Sequence, residues 1–192
     1  MTDCPFLSSC LSAFDEAERT FHAHFAELDP PIALRRPEPG RWSVAECIEH
    51  LNVTADLYLP RMEAAIRRGR EKGLEGRAPF ERRTLLGRFL LSALDPGASR
   101  RVPAPKRFRP QQAELDFSEV CTRFSTGLER FRDASGEADG LDLDRIRLPT
   151  PIAPVPRLTL AEAFTIHRHH IPRHLAQAKA ALDAVGAAGP AP

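Results

Sequence analysis

Apolar side chains recur at intervals of three and four residues in four separate stretches of this chain, and this spacing is its strongest constraint on the fold. The first stretch covers residues 6–28, and later ones begin near residues 43, 117 and 159. In the first stretch the apolar positions are Leu7, Leu11, Phe14, Ala17, Phe21, Phe25 and Leu28. Such intervals are typical of an amphipathic helix with one buried face. No pair of segments has a convincing strand pattern, so the sequence predicts an all-α protein.

Two of the predicted helices begin at a capping box, in which serine or threonine is followed three residues later by glutamate. Ser43 with Glu46 starts the second helix, and Thr159 with Glu162 starts the fourth. The hydroxyl accepts a hydrogen bond from the amide of the glutamate, whose carboxylate accepts one from the amide of the capping residue. Trp42, directly before the first cap, is placed to form a hydrophobic staple with a residue one turn into the helix.

Segments rich in proline and glycine separate these helices, because proline lacks an amide donor and disfavours a helix interior. They are the stop at 29–31, the loop at 35–40, the long excursion at 70–111 with a short helix over 80–94 closed by 95–97, the extended tract at 102–110 and the loop at 148–156. Pro60 and Pro172 fall inside helices and are expected to bend or interrupt them. We predict one four-helix-bundle domain over 1–192, with long connections between helices 2 and 3 and between helices 3 and 4, and a frayed tail at 186–192.

The composition indicates a globular protein of one domain and excludes several other classes. The chain has 192 residues, of which 42% are hydrophobic and 28% charged, which is ordinary for a chain that buries a core. The first residues lack the basic segment of a secretory signal, and no apolar run is long enough for a membrane span, so a cytoplasmic protein is expected. The four cysteines include no C-x-x-C pair, which disfavours a disulfide framework or a cysteine zinc site. Cys47, close to His50, could be a ligand, but a small buried residue is the favoured interpretation.

Residues 61–109 are strongly basic, with 14 Lys and Arg against 5 Asp and Glu. Such a stretch can attract phosphates or carboxylates. No nucleic-acid-binding motif accompanies it, so an ordinary solvated surface is favoured and nucleic acid is an unlikely partner.

Three histidines have the spacing of a metal site. His170 and His174 lie four residues apart, on one face of the predicted fourth helix, and His50 lies beside the apolar stripe of the second. One histidine from a facing helix would complete a site of three nitrogens. The histidines not expected to bind a metal are His22, His24, His167 and His169. From the pair on the fourth helix alone, a metal site and an ordinary polar face remain equally open.

Two strings in the chain resemble the signatures of the DinB-like superfamily, damage-inducible-type four-helix bundles. They are Trp42-Ser-x-x-Glu46-x-x-x-His50-Leu51 and His170-x-x-x-His174-Leu175-x-Gln177, the latter with one residue fewer between leucine and glutamine. The segment 103–110 also resembles a loop of one subgroup. The resemblance implies that His50, His170 and His174 bind a divalent metal such as nickel or zinc, with water in the open positions.

Characterised members of that superfamily use the metal to activate a low-molecular-weight thiol such as bacillithiol, mycothiol or glutathione. The resemblance therefore implies a metal-dependent enzyme that acts on a small-molecule substrate, either a thiol S-transferase or a hydrolase, and a homodimer is expected. Gln177 is a candidate catalytic residue that orients a ligand or an incoming group; an exposed helix glutamine is the other interpretation. Glu46 is left out of the site because the capping box accounts for it. The alternative function is a non-catalytic bundle dimer whose metal is structural or absent.

Overall fold

The computed structural model describes residues 2–77, 79–80, 82–94, 104–110, 114–151 and 157–187, and these residues are mostly helical. The helices are α1 (Pro5–His24), α2 (Pro30–Leu34), α3 (Val44–Glu71), α4 (Leu85–Leu94), α5 (Phe117–Glu137) and α6 (Leu160–Ala187). A 3₁₀ turn covers Lys106–Phe108, and two short strands, β1 (Arg147–Pro149) and β2 (Arg157–Thr159), complete the described elements. The predicted helical class is confirmed, although these residues form six α-helices and a small sheet.

The four long helices form the body of the fold. Helices α1 and α3 each pack against both α5 and α6. Phenylalanines fill the space between α1 and α5: Phe14 stacks on Phe131 with ring centroids 5.3 Å apart, and Phe21 meets Phe124 at 4.9 Å. Burial of each such ring stabilises the fold by about 1.5–3 kcal/mol. Because α3 and α6 lie side by side, side chains far apart in the sequence can meet between them.

Both predicted capping boxes are present. The Glu46 amide donates to Ser43 Oγ (3.2 Å), and the Ser43 amide donates to Glu46 Oε2 (2.9 Å). At α6 the Glu162 amide donates to Thr159 Oγ1 (3.0 Å), and the Thr159 amide donates to Glu162 Oε2 (2.9 Å). The two helices that carry the candidate histidines therefore begin where the sequence predicts.

The expectation that the chain has no strand pair was wrong. β1 and β2 are antiparallel, with Leu148 opposite Leu158, and both leucines are fully buried. Three-residue strands are too short for alternation to stand out in a sequence, and Leu148 and Pro149 were expected in a loop. Residues 152–156 of that predicted loop lie outside the described residues.

Several predicted boundaries also differ from the structure. Helix α1 ends at His24, and the prolines of 29–31 occupy the first turn of α2, where a missing amide donor costs nothing. Helix α4 begins at Leu85 rather than at Phe80. Within the described part of the proline tract, Lys106–Phe108 form a 3₁₀ turn that buries Phe108, whereas Arg109 has the predicted extended backbone. The predicted closing turn at 95–97 lies outside the described residues.

The two prolines inside helices do not interrupt them. Helix α3 continues through Pro60 and α6 through Pro172. Gly186 and Ala187, expected in a frayed tail, still belong to α6, and 188–192 fall outside the described ranges. Among the described helices, none combines the length and apolar character that crossing a membrane requires.

Candidate metal centre

The three histidines predicted as ligands converge between α3 and α6. His50 and His174 have ring centroids 4.4 Å apart, as do His170 and His174, and His50 and His170 are 5.0 Å apart. One nitrogen from each ring lies within 4.8 Å of the others. His50 is 3% exposed, and the other two are half-buried. The i, i+4 pair of α6 and the single histidine of α3 therefore form one cluster.

The distances in this cluster suit a divalent ion. His50 Nε2 and His170 Nε2 are 3.2 Å apart. Two imidazole nitrogens that each bind one zinc ion at about 2.0–2.1 Å with a tetrahedral angle would be about 3.3 Å apart. Three imidazoles also match the donor set that zinc and nickel accept. The residues present therefore fit a metal ion.

A backbone carbonyl sets the proton position on His50. Its Nδ1 lies 2.6 Å from the carbonyl oxygen of Phe108, and because a carbonyl can only accept, Nδ1 carries the proton and donates. The lone pair of His50 is then on Nε2, which faces the other histidines. Metal-binding histidines commonly use such a contact to hold the ring. The sequence did not identify Phe108 itself; its only signal was the resemblance of 103–110 to a family loop.

Burial keeps the three imidazoles neutral at neutral pH. It lowers the pKa of His50, although the hydrogen bond to Phe108 raises it in part. Burial, followed by the proximity of His174 and His50, holds the pKa of His170 well below its ordinary value. Burial also lowers the pKa of His174 to about 3. Neutral imidazoles keep the lone pair that a metal requires.

Two further side chains border the cluster. The ring centroid of Trp42 is 5.1 Å from that of His50 and 6.3 Å from that of His174, so this residue, predicted only as a staple, forms a wall of the site. Gln177 is exposed on α6, and its hydrogen bond with His174 opposes the lowering of that pKa. Gln177 thus lies at the outer edge of the cluster.

Other residues whose side chains could bind a metal lie outside the cluster. Cys47 is fully buried, and burial raises its pKa to about 12, as expected for a packed thiol. The Glu46 carboxylate accepts hydrogen bonds from the Ser43 amide and from the Arg36 guanidinium. The histidines expected on the surface, His22 and His24, are exposed. Within the described ranges, no cysteine, aspartate or glutamate joins the three histidines as a potential ligand.

The remaining two histidines of α6 differ from each other. His169 is exposed, whereas His167 is 1% exposed and packs against the rings of Tyr58 (4.9 Å) and Phe131 (4.5 Å). Neither is part of the three-histidine group.

A sequence model described as the DinB superfamily matches residues 13–178, most of the chain, and this range includes all three histidines. The match confirms the resemblance carried by the strings around His50 and His174. No curated protein and no solved structure matches the chain.

Proposed function

Because this chain belongs to the DinB superfamily, we propose that it is a metal-dependent enzyme that transfers a low-molecular-weight thiol to an electrophilic substrate. His50, His170 and His174 hold the divalent ion. The observation that carries the proposal is the convergence of three imidazoles, one buried and two half-buried, without a fourth potential ligand among the described residues. A divalent ion usually takes four or more ligands, so three leave positions for substrate.

The ion, when bound, supplies a Lewis acid that lowers the pKa of a thiol from about 8.5 and so favours the thiolate at neutral pH. In such a transfer the thiol sulfur would form a bond to an electrophilic carbon, the leaving group would depart with the electron pair of the broken bond, and the thiol proton would pass to solvent. Phe108 holds the His50 ring through its carbonyl, and Trp42 shields one side of the histidines from water.

The cysteines of the chain itself support an external thiol. Burial raises the pKa of Cys10 to about 11, of Cys47 to about 12 and of Cys121 to about 11. These three thiols stay protonated at neutral pH and are poor nucleophiles. The sulfur nucleophile is therefore proposed to come from a thiol cosubstrate rather than from these cysteines.

The surroundings of the site favour an anionic cosubstrate. Lys106 and Arg109 are exposed and flank Phe108, whose carbonyl contacts His50. Their charges would attract a carboxylate-bearing thiol such as glutathione.

Gln177, at the outer edge, is placed to orient the incoming group. Replacing it with alanine should preserve the metal and lower kcat/KM about tenfold, the effect of one lost hydrogen bond of roughly 1.4 kcal/mol.

The test combines metal content with turnover. Elemental analysis of the purified protein should find about one divalent ion per chain, as expected for one three-nitrogen site, and a His50→Ala, His170→Ala double variant should lose it. The exposed His22→Ala is the matched control and should keep it. Conjugation of a model electrophile should require both metal and thiol, tested with glutathione, bacillithiol and mycothiol. His174→Ala should abolish conjugation while the circular dichroism spectrum stays helical.

Two outcomes would contradict the proposal. Absence of metal from the purified protein, or retention of metal by the double variant, would contradict the proposed metal site. A loaded protein that consumes none of the three thiols above the uncatalysed rate would favour the alternative, a bundle with a structural ion. Light scattering on the same samples tests the proposed homodimer, which a monomer mass at micromolar concentration would exclude.

A further inference from the structure

A small cavity lies next to the metal centre, between α3, α5 and α6. Asn52 of α3 and His167 and His170 of α6 line it, and Phe124 and Phe131 of α5 form apolar walls. Its volume is about 10 Å³. A space of about 10–15 Å³ is the minimum that one water molecule needs, and a buried water also needs two to four polar partners.

Three buried polar atoms belong to residues that line this cavity. They are His170 Nδ1, His167 Nε2 and Asn52 Oδ1, and none has a hydrogen-bond partner within the described part of the chain. Such atoms are rare in folded proteins, since an unpaired buried polar group costs about 1–3 kcal/mol. Their occurrence around one cavity indicates a shared partner.

The orientation of Asn52 is fixed by its other contacts. Its Nδ2 donates to Glu49 Oε2 (3.1 Å) and to the carbonyl of Val120 (3.0 Å). Both partners can only accept, so the amide nitrogen must face them. Asn52 Oδ1 is therefore an acceptor, and at 3% exposure the residue is buried.

The two histidines supply one donor and one more acceptor. His170 Nε2 faces His50 Nε2 at 3.2 Å, so a metal at that nitrogen leaves the proton of His170 on Nδ1. Burial lowers the pKa of His167 to about 3, so this imidazole is neutral and its Nε2 accepts when Nδ1 carries the proton. With His167 in that tautomer, one donor and two acceptors complement a water molecule, which donates two hydrogen bonds and accepts up to two.

We propose that one buried water accepts from His170 Nδ1–H and donates to Asn52 Oδ1 and His167 Nε2, which makes Asn52 and His167 positioning residues of the metal centre. The positioning role rests on the proposed function, because the proton is required on His170 Nδ1 only when Nε2 holds a metal. The water pairs that N–H and keeps the Nε2 lone pair toward His50. Ligating histidines depend on such partners, whose loss typically weakens metal binding 10–100-fold.

A wider groove shares part of its lining with the cavity. Asn52, Ala55 and Gly127 line both the cavity and a wider groove of about 120 Å³ between α3 and α5. A Cβ added at Gly127 would lie 3.7 Å from the Cβ of Ala55, so α3 and α5 are close to each other at this point. The groove is also lined by Arg123 and Arg130.

The test compares metal affinity among variants of the full-length protein. His167→Phe removes the acceptor and keeps a ring between Tyr58 and Phe131, and Asn52→Leu removes the second acceptor. Each should raise the Kd for zinc, measured by chelator competition, at least tenfold. His167→Gln, which retains an acceptor oxygen, should recover most of the affinity. Thr165→Val removes a buried hydroxyl of α6 that bonds to Ala161 and should leave the Kd unchanged.

Two structural measurements separate this proposal from the proposed function. Nitrogen-15 NMR of the zinc-loaded protein should show His170 protonated at Nδ1, and a high-resolution crystal structure should show water in contact with all three atoms. Unchanged zinc affinity in both His167→Phe and Asn52→Leu would contradict the positioning role. A crystal structure without water in the cavity would contradict the proposed buried water. If the wild-type protein binds no metal, the proposed function and the positioning role are both wrong. The crystal structure would still show whether the cavity holds a water molecule.

Discussion

The starts of α3 and α6 share one sequence motif but differ in their surroundings. At α3, Glu46 has a side chain 14% exposed and also accepts from Arg36. At α6, Glu162 is fully buried and accepts from the Thr84 amide and from Thr84 Oγ1 (2.9 Å) as well as from its own cap. The second carboxylate thus joins three parts of the chain: β2, α6 and the segment that leads into α4. The same capping motif is therefore expected to contribute more to the stability of the fold at α6 than at α3.

The comparison predicts its largest effect for removal of the buried carboxylate. Glu162→Ala leaves three donors without a partner, two on Thr84 and one on Thr159. We expect the free energy of unfolding to fall by about 3–4 kcal/mol, since an unpaired buried donor costs about 1–3 kcal/mol and the half-buried Thr84 regains part of this from solvent. Glu46→Ala should cost only about 1 kcal/mol, the usual effect of a lost cap. Urea denaturation measures both, and equal losses would contradict the comparison.

A second prediction concerns the close approach of α4 to Glu162. A Cβ added at Gly87 would lie 2.0 Å from Glu162 Oε1, and that oxygen accepts a hydrogen bond from the Thr84 amide. Gly87→Ala should therefore destabilise the protein by about 1–3 kcal/mol. The penalty should largely disappear in a Glu162→Ala background, as a double-mutant cycle can show.

Gly136 is the matched control for this substitution. It lies in α5 with no atom within 4 Å of an added Cβ, so Gly136→Ala should be neutral or stabilising by up to about 1 kcal/mol. A similar penalty at both glycines would mean that the buried carboxylate does not restrict α4.

The smallest predicted effect is the pH dependence of the half-buried cap at Glu46. Burial by itself would raise the pKa of Glu46, but hydrogen bonds from Arg36 and Ser43 outweigh it, and the pKa is lowered. A carboxyl with a lowered folded-state pKa stabilises the fold above its unfolded value of about 4.3, and this contribution is lost as pH falls through the folded-state pKa. Glu46→Gln should therefore destabilise at pH 7 and approach no effect near pH 2, as urea titrations can measure. A constant difference at both pH values would contradict the role of its charge.

The position of His167 in α6 illustrates what the sequence does not predict. The sequence analysis predicts only that His167 is not a metal ligand. Its burial between Tyr58 and Phe131 depends on which helices pack against α6, and no local pattern encodes that choice. The same reason explains why Phe108 and Trp42 were missed as neighbours of His50: each reaches the site through the path of the chain outside the helices.

The features of this protein that follow from its sequence are local. Helix starts at Ser43 and Thr159 follow from side-chain-to-amide geometry within four residues, and the shared face of His170 and His174 follows from the helical repeat. The tertiary structure alone decided the distances: the approach of His50 to His170, the carbonyl of Phe108 on His50 Nδ1, and the cavity at Asn52. The physical reason is that these contacts join segments 58 to 120 residues apart, whose positions depend on the packing of the whole core rather than on any local preference.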